Sequence, residues 1–212
     1  PDAPLLLVAN EFFDALPIRQ FIRAGAGWRE RMVGAQDGHL FFGLSDAAPL
    51  ALLAPRLDDT QDGDLVEHCP ALPGIVAAIA GRIAAHGGAA LVIDYGDWQS
   101  LGDTLQALAG HAPADPLAAP GAADLTAHVD FAAIAAHAAP ARHSRLTRQG
   151  VFLERLGITA RARKLASGLT GQALDAHVAA HRRLTHPSEM GDLFKVMALF
   201  PATAMPPAGL DP

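Results

Sequence analysis

The chain contains a single cysteine, Cys69. That excludes an intrachain disulfide and a cysteine-built zinc cluster, and it fits a reducing compartment. Aromatic residues are also scarce, with 9 Phe, 2 Trp and 1 Tyr among 212 residues. The core must therefore be aliphatic. Half of the residues are hydrophobic, mostly Ala and Leu, which suits one α/β domain, or one with a subdomain. No apolar run approaches the ~20 residues of a membrane-spanning helix. The first nine residues lack the basic segment and cleavage pattern of a signal peptide. Positive charge is not in excess: 16 Lys and Arg face 22 Asp and Glu, a net charge of −6. This argues against nucleic acid or an anionic membrane as the main partner. There is no initiating Met, no internal repeat and no sharp linker. The expectation is a piece of a longer protein, cut just before a core element.

What is present is organised around residues 5–21, LLLVANEFFDALPIRQF. The apolar run of residues 5–9 stops abruptly at Asn10-Glu11, and Asp14 comes after two phenylalanines. A short apolar run ending in polar residues predicts a buried parallel strand. In open α/β sheets, ligands bind just outside the carboxyl ends of such strands. Asn10, Glu11 and Asp14 are therefore candidate site residues. A second strand is predicted at residues 89–95, ending in Asp94-Tyr95-Gly96-Asp97. The helical spacing of Ile75, Val76, Ile79 and Ile83 precedes it, closed by Gly87-Gly88. Helix, glycine pair and strand together read as the back half of a parallel crossover. If the two strands are neighbours, their acidic ends converge on one crevice.

Between them, residues 18–44 predict an antiparallel excursion of two or three strands, with Asp37-Gly38 as a hairpin turn. Residues 45–64 read as loop. Residues 98–124 read as an irregular segment, and the whole of 98–140 as an irregular or helical cover over the site. Asp130 is a plausible N-cap for a helix over 131–138. Short helical patterns over 149–156 and 159–184 lead to a last strand at 193–199 and a proline-rich tail expected to be loose.

Other constellations are weaker. His177 and His181 stand four apart on one helix face, but Val178 occupies the place where a metalloprotease carries Glu, so a solvated face is favoured over a metal site. Residues 58–69 place Cys69 where a calcium loop needs a bidentate Glu, which rules that reading out. Gly25 and Gly27 lack the third glycine of a dinucleotide loop, and no G-x-S-x-G elbow exists. Basic residues concentrate in the C-terminal third, from Arg142 to Lys164; an exposed helix face is favoured over a patch for an acidic partner.

Several blocks in fixed order carry a resemblance. They are Asn10-Glu11-Phe12-Phe13-Asp14-Ala15-Leu16-Pro17 with Arg19-Gln20-Phe21, then Gly87-Gly88 with Leu91-Val92-Ile93-Asp94-Tyr95-Gly96. Next come Asp103-Thr104-Leu105-Gln106-Ala107, Asp115-Pro116-Leu117, and Gly121 with Ala123-Asp124-Leu125-Thr126-Ala127-His128-Val129-Asp130-Phe131. Last are Gln149-Gly150 with Phe152-Leu153 and Leu156-Gly157-Ile158, then Met190-Gly191 with Leu193-Phe194-Lys195-Val196. Together they resemble the C-terminal portion of the MidA/NDUFAF7-like family, formerly a domain of unknown function, of S-adenosylmethionine-dependent methyltransferases.

The resemblance implies an α/β, Rossmann-like class I methyltransferase sheet whose first strands and glycine-rich loop are not in this sequence. Residues 1–212 would then form a single partial domain. The strand at residues 5–9 would be the fourth of the sheet, that at 91–95 the fifth, and the last strands would close the far edge. Without its usual neighbour, the first of these would expose an apolar edge. The implied activity is arginine N-methylation of a respiratory complex I subunit or related protein, with S-adenosylmethionine as cofactor, a protein substrate and no metal. The main donor-binding loop would lie outside this chain, which alone would bind the donor poorly or not at all. Nothing bears on oligomeric state. The compartment would be cytoplasmic in a bacterium, towards which the Ala- and Arg-rich composition leans, and mitochondrial in a eukaryote.

Under that reading Glu11 and then Asp14 are the expected catalytic carboxylates, because a guanidinium is a poor, protonated nucleophile that must be held and neutralised. Asp14 has an equal claim as a cap on the helix or turn after it. Asn10 would orient the donor or substrate, and Tyr95, Asp94 and His128 would line the pocket. His128 has a second reading, as a brace for its own turn. The competing function class is a non-catalytic binding or assembly module. A carboxylate-based hydrolase using Glu11 and Asp97 has no motif behind it.

Overall fold

The computed structural model describes residues 2–212. The aliphatic run Leu5–Asn10 (β1) pairs in parallel with Gly88–Asp97 (β6), in a register that sets Leu5 opposite Gly88 and Asn10 opposite Ile93. On the other side of β6 lies Phe194–Phe200 (β13), antiparallel to it. The short pieces Arg142–His143 (β11) and Thr147–Arg148 (β12) both pair antiparallel to β13. Val129–Asp130 (β10) extends β6 at its end, where Gly96 takes φ 153°. A Cβ on Gly96 would sit 2.2 Å from the Val129 carbonyl oxygen, so the glycine is needed for strand β10 to approach. As the resemblance implies, the first two strands are neighbours and the last strands lie at the far edge, where the pairing is antiparallel.

Parallel neighbours need a crossover, and Leu72–His86 (α1) completes it. Val76, Ala80 and Ile83 fall on one helix face and are fully buried against Ala90 and Val92 of β6 and Met197 and Leu199 of β13. Pro73 sits in the first turn and Gly87, at φ 79°, ends the helix with its N–H on the Ile83 carbonyl. Phe131–Ala136 (α2) adds Phe131 and Ile134 to the same core. Asp130 caps it as expected, its side chain accepting from the Ala133 N–H.

The opposite sheet face is covered more sparsely. Gln149–Arg155 (α3) buries Phe152 against Val196, Ala198 and Phe200. The tail, expected to be loose, is tied down there. Leu210 joins this cluster, Asp211 pairs with Arg155 at 2.8 Å, and its carbonyl accepts the Arg145 N–H. Burial of one leucine and an ion pair override the proline-rich composition. Ile158–Ala166 (α4) and Gly171–Thr185 (α5) bury no residue at all. On this same face of β1, Leu6 and Val8 are 87% and 64% exposed, and among the described residues no strand pairs with the outer edge of β1.

Residues 18–44 form the expected antiparallel excursion, three strands long, and a fourth strand joins it from beyond that range. Arg19–Ala24 (β2), Gly27–Gln36 (β3), His39–Leu44 (β4) and Leu65–His68 (β5) form an antiparallel sheet in the order β4-β3-β2-β5. Asp37 and Gly38 both take positive φ, the geometry of a two-residue hairpin turn matched to strand twist. Phe21, Trp28 and Val66 make a separate small core with Leu53, which comes from a 3-10 turn over Ala51–Leu57 in the stretch read as loop.

The cover also differs from an irregular segment. Gln106–Ala109 (β7), Ala112–Ala114 (β8) and Asp124–Thr126 (β9) form a three-stranded antiparallel sheet in the order β8-β7-β9. Its strands are three or four residues long and rich in alanine, too short and too poor in β-branched residues to show a period-2 pattern.

Candidate active site

The carboxyl ends of β1 and β6 lie side by side. The ladder runs one residue beyond β1, with the Glu11 N–H donating to the Ile93 carbonyl at 3.0 Å. Glu11 then turns the chain with φ 49°, a conformation uncommon for a residue with a side chain. Its carboxylate Oε1 accepts a hydrogen bond from the Asn10 amide at 3.1 Å, and both residues are exposed. Phe12 remains partly open, while Phe13 turns into the α1 core and meets it edge to face at 5.2 Å. The chain is pinned at this point by one apolar anchor and one carboxylate.

That carboxylate is Asp94. Its Oδ2 accepts the N–H groups of Phe13 at 3.0 Å and Asp14 at 3.3 Å, and its Oδ1 accepts that of Tyr95 at 3.0 Å. Asp94 is fully buried. Burial, and then the negative charge of Asp14, push its pKa up to about 7, against the pull of the three N–H donors. Asp94 therefore ties the turn after β1 to the end of β6 from within the protein.

Asp14 is itself 4% exposed, with its Oδ1 buried and without a hydrogen-bond partner. Its backbone carbonyl accepts the Ala127 N–H at 3.0 Å, docking the segment after β9. Burial, reinforced by the neighbouring Asp14, raises the pKa of the Tyr95 hydroxyl. Tyr95 meets His128 and Phe194 edge to face, each at 5.5 Å. Burial lowers the His128 pKa, with Lys195 acting in the same direction.

A second buried carboxylate fixes the cover. Glu67 on β5 accepts the Gln20 amide at 2.8 Å, the Thr104 N–H at 3.0 Å and the Thr104 hydroxyl. Thr104 Oγ1 in turn accepts the His128 N–H at 2.8 Å. The excursion, the cover and the His128 turn are thus one network. Between excursion and cover runs a cavity of about 410 Å³, walled by the segment from Asp14 to Gln20, by Val33 and Phe42, and by Leu105 and Leu125.

The structure brings together Asp14, Asp94, Tyr95 and His128. It sets Asn10 and Glu11 apart, on the exposed side of the same turn. Asp14 caps no helix; it lies within a turn closed by the Leu16 N–H on the Phe13 carbonyl. His177 and His181 are absorbed between α4 and α5, where His177 contacts the Ala162 carbonyl at 2.9 Å and His181 the Thr159 hydroxyl at 2.9 Å. Sequence reasoning misses Gln20 and Glu67 as members of this network. Glu67 is the harder of them to find, because a lone acid in a four-residue strand has no signature.

Comparisons with known proteins place the chain as a whole. A family model described as "Putative S-adenosyl-L-methionine-dependent methyltransferase" matches residues 1–150. The chain is 36% identical over 200 residues to human mitochondrial protein arginine methyltransferase NDUFAF7, covering 92% of this chain and 45% of that protein. It is 34% identical over 219 residues to the Drosophila melanogaster homolog, covering 95% and 48%. A crystal structure of a "likely methyl transferase" from Burkholderia thailandensis, bound to S-adenosyl-homocysteine, superposes with a TM-score of 0.78 at 30% identity, covering all of this chain and 56% of that one. The chain spans about half the length of the curated relatives it matches. With two thirds of its residues inside the family model and its sheet superposing on a solved relative, this chain belongs to that family of S-adenosyl-L-methionine-dependent methyltransferases.

Proposed function

We propose that residues 1–212 are a single partial domain of a protein-arginine N-methyltransferase and present the substrate-facing half of its site. The observation that carries this reading is the turn Asn10–Asp14, held at two adjacent strand ends by the buried Asp94. Relatives named as arginine methyltransferases support the substrate class. A respiratory complex I subunit is the finer proposal. The compartment proposed is the cytoplasm of a bacterium, while the matched animal relatives are named as mitochondrial.

The fit of the donor to these residues is partial. Among the described residues no glycine-rich loop joins a strand to a helix at this crevice. Asn10 is the exposed polar group at the end of the open strand β1, and it would contact the donor. S-adenosylmethionine, when bound, supplies an electrophilic methyl group. The chain's own residues must hold the acceptor. Exposed Glu11, steadied by Asn10, would take two guanidinium N–H groups, offset their positive charge and accept the proton that the attacking nitrogen releases. Tyr95 and His128 would wall the site and keep water from it.

The second reading, a binding or assembly module, draws on the open apolar face of β1 at Leu6 and Val8. Incorporation of label from S-adenosylmethionine into arginine of a protein substrate, by a full-length enzyme containing these residues, decides between them. Transfer lost on Glu11→Gln with donor affinity unchanged supports the catalytic reading. Transfer unaffected by that change removes Glu11 from the mechanism. The chain of residues 1–212 alone should show no saturable uptake of donor by titration calorimetry.

A further inference from the structure

We propose that the groove between the β3–β4 hairpin and the β7–β9 sheet is a docking channel for an extended peptide segment that carries arginine among apolar residues. The proposal rests on the methyltransferase reading above and names what that site selects.

Three observations point to this occupant. First, the groove begins at the turn that bears the candidate carboxylates, since its wall starts at Asp14. Second, its outer wall is apolar yet open. Val33 is 55% exposed and Leu125 48%, facing the groove from the hairpin and the cover with Phe42 between them in register on Val33. A further cavity of about 590 Å³ lies two residues along β4, at Leu40, against Leu117 of the cover. Alternate residues of a strand face one side, so Leu40 and Phe42 present the two cavities on the same face of β4. β4 is also an edge strand, paired only to β3 among the described residues, which leaves backbone groups for an extended segment.

Third, the cations of the inner cavity wall are already engaged by carboxylates while Asp14 is not paired. Arg19 is paired with Glu30 at 2.7 Å, and Arg31 with Asp103 at 2.5 Å while its guanidinium also covers the Phe42 ring. Of the two carboxylates that line the inner cavity, Glu30 is paired and Asp14 is not, and the Asp14 Oδ1 lacks any hydrogen bond. A buried carboxylate oxygen without a donor is costly, and a guanidinium is the side chain best shaped to supply one. Apolar flanks would fill the outer channel and the cation would reach inward.

The test uses the 212-residue chain and a fluorescein-labelled peptide of about nine residues, ~30 Å long when extended at ~3.4 Å per residue. Its central arginine is flanked by leucine and phenylalanine, and anisotropy reports binding. The expected result is saturable binding that weakens at least ~10-fold when citrulline replaces arginine, the loss of one charge-assisted contact. Val33→Asp and Leu125→Asp, both at exposed positions, should each weaken it by a similar factor with unchanged melting temperature. In Asp14→Asn the arginine and citrulline peptides should bind alike. No saturation below about 1 mM, or equal affinity of the two peptides for the unaltered chain, overturns the proposal. So does binding indifferent to Val33→Asp and Leu125→Asp. Binding requires no donor, so a peptide that docks as described but is never methylated by the full-length enzyme sinks the methyltransferase reading and leaves the channel. Methylation insensitive to both aspartate substitutions does the reverse.

Discussion

Two acidic groups stand at the same turn and are treated in opposite ways. Asp94 is fully buried, accepts three backbone N–H groups and touches no solvent. Glu11 is exposed, bent into a positive φ, and its carboxylate is held only by its neighbour Asn10. In the sequence both are simply acids at strand ends. The difference teaches that one builds the turn and the other is displayed by it. A buried carboxylate satisfied by N–H donors is an architectural part, whereas a solvent-facing carboxylate on a strained residue is free to meet a ligand.

Removing the architectural acid should have the largest effect. Asp94→Ala strands the N–H groups of Phe13, Asp14 and Tyr95 in the interior. At about 1–3 kcal/mol for each buried group left unsatisfied, the loss should reach at least about 3 kcal/mol. Urea unfolding of the 212-residue chain measures it. A loss below about 1 kcal/mol would mean that the turn holds itself and that Asp94 is available for other work. The displayed acid should behave inversely. Glu11→Gln should change folding stability by no more than about 0.5 kcal/mol, as is usual for exposed positions. In a full-length enzyme it should lower methyl transfer on the order of 100-fold or more, the scale of a lost positioning or proton-accepting group. Single-turnover assays with saturating donor separate that loss from donor binding. If stability fell and transfer did not, the two acids would have to exchange roles.

How far this division was legible in the sequence depends on the kind of signal. Residues 5–9 and 89–95 announced themselves as strands because parallel strands are apolar on both faces, and α1 because Ile75, Val76, Ile79 and Ile83 repeat at helical spacing. Asp37-Gly38 announced its turn through the demand for positive φ. The blocks around Asp14, Asp94, Tyr95 and His128 pointed to one site. What stayed hidden is set by pairing between distant segments. Strands β7 to β9 are too short and too alanine-rich to carry a pattern, and the binding of Thr104 by Glu67 joins residues 37 apart. The need for glycine at position 96 is of the same kind, because what approaches it is the Val129 backbone. Likewise the tail was judged by its prolines, while Leu210 and Asp211 decide its placement.

The finest contrast between the two acids is in their response to pH. Asp94 has its pKa raised from the ordinary 3.8 to about 7 by burial and by Asp14. In the unfolded chain it titrates as an ordinary aspartate. Between about pH 4 and pH 7 the folded protein therefore holds a proton on Asp94 that the unfolded chain has released. Folding is then linked to proton uptake, so this group's contribution to stability falls as pH rises through that window and levels off above about pH 7. The slope from one such group is at most ~1.4 kcal/mol per pH unit. Asp94→Asn keeps the shape and removes the proton, at the cost of an acceptor for at least one of the three N–H groups. The stability difference between the unaltered chain and Asp94→Asn should accordingly shrink as pH goes from about 5 to about 8, whereas Glu11→Gln should leave the unaltered pH dependence in place. Urea midpoints collected at a series of pH values provide the comparison. Parallel curves for the Asp94→Asn and unaltered chains would show that the three N–H donors hold Asp94 ionised throughout, and that the turn carries a fixed negative charge beside Asp14.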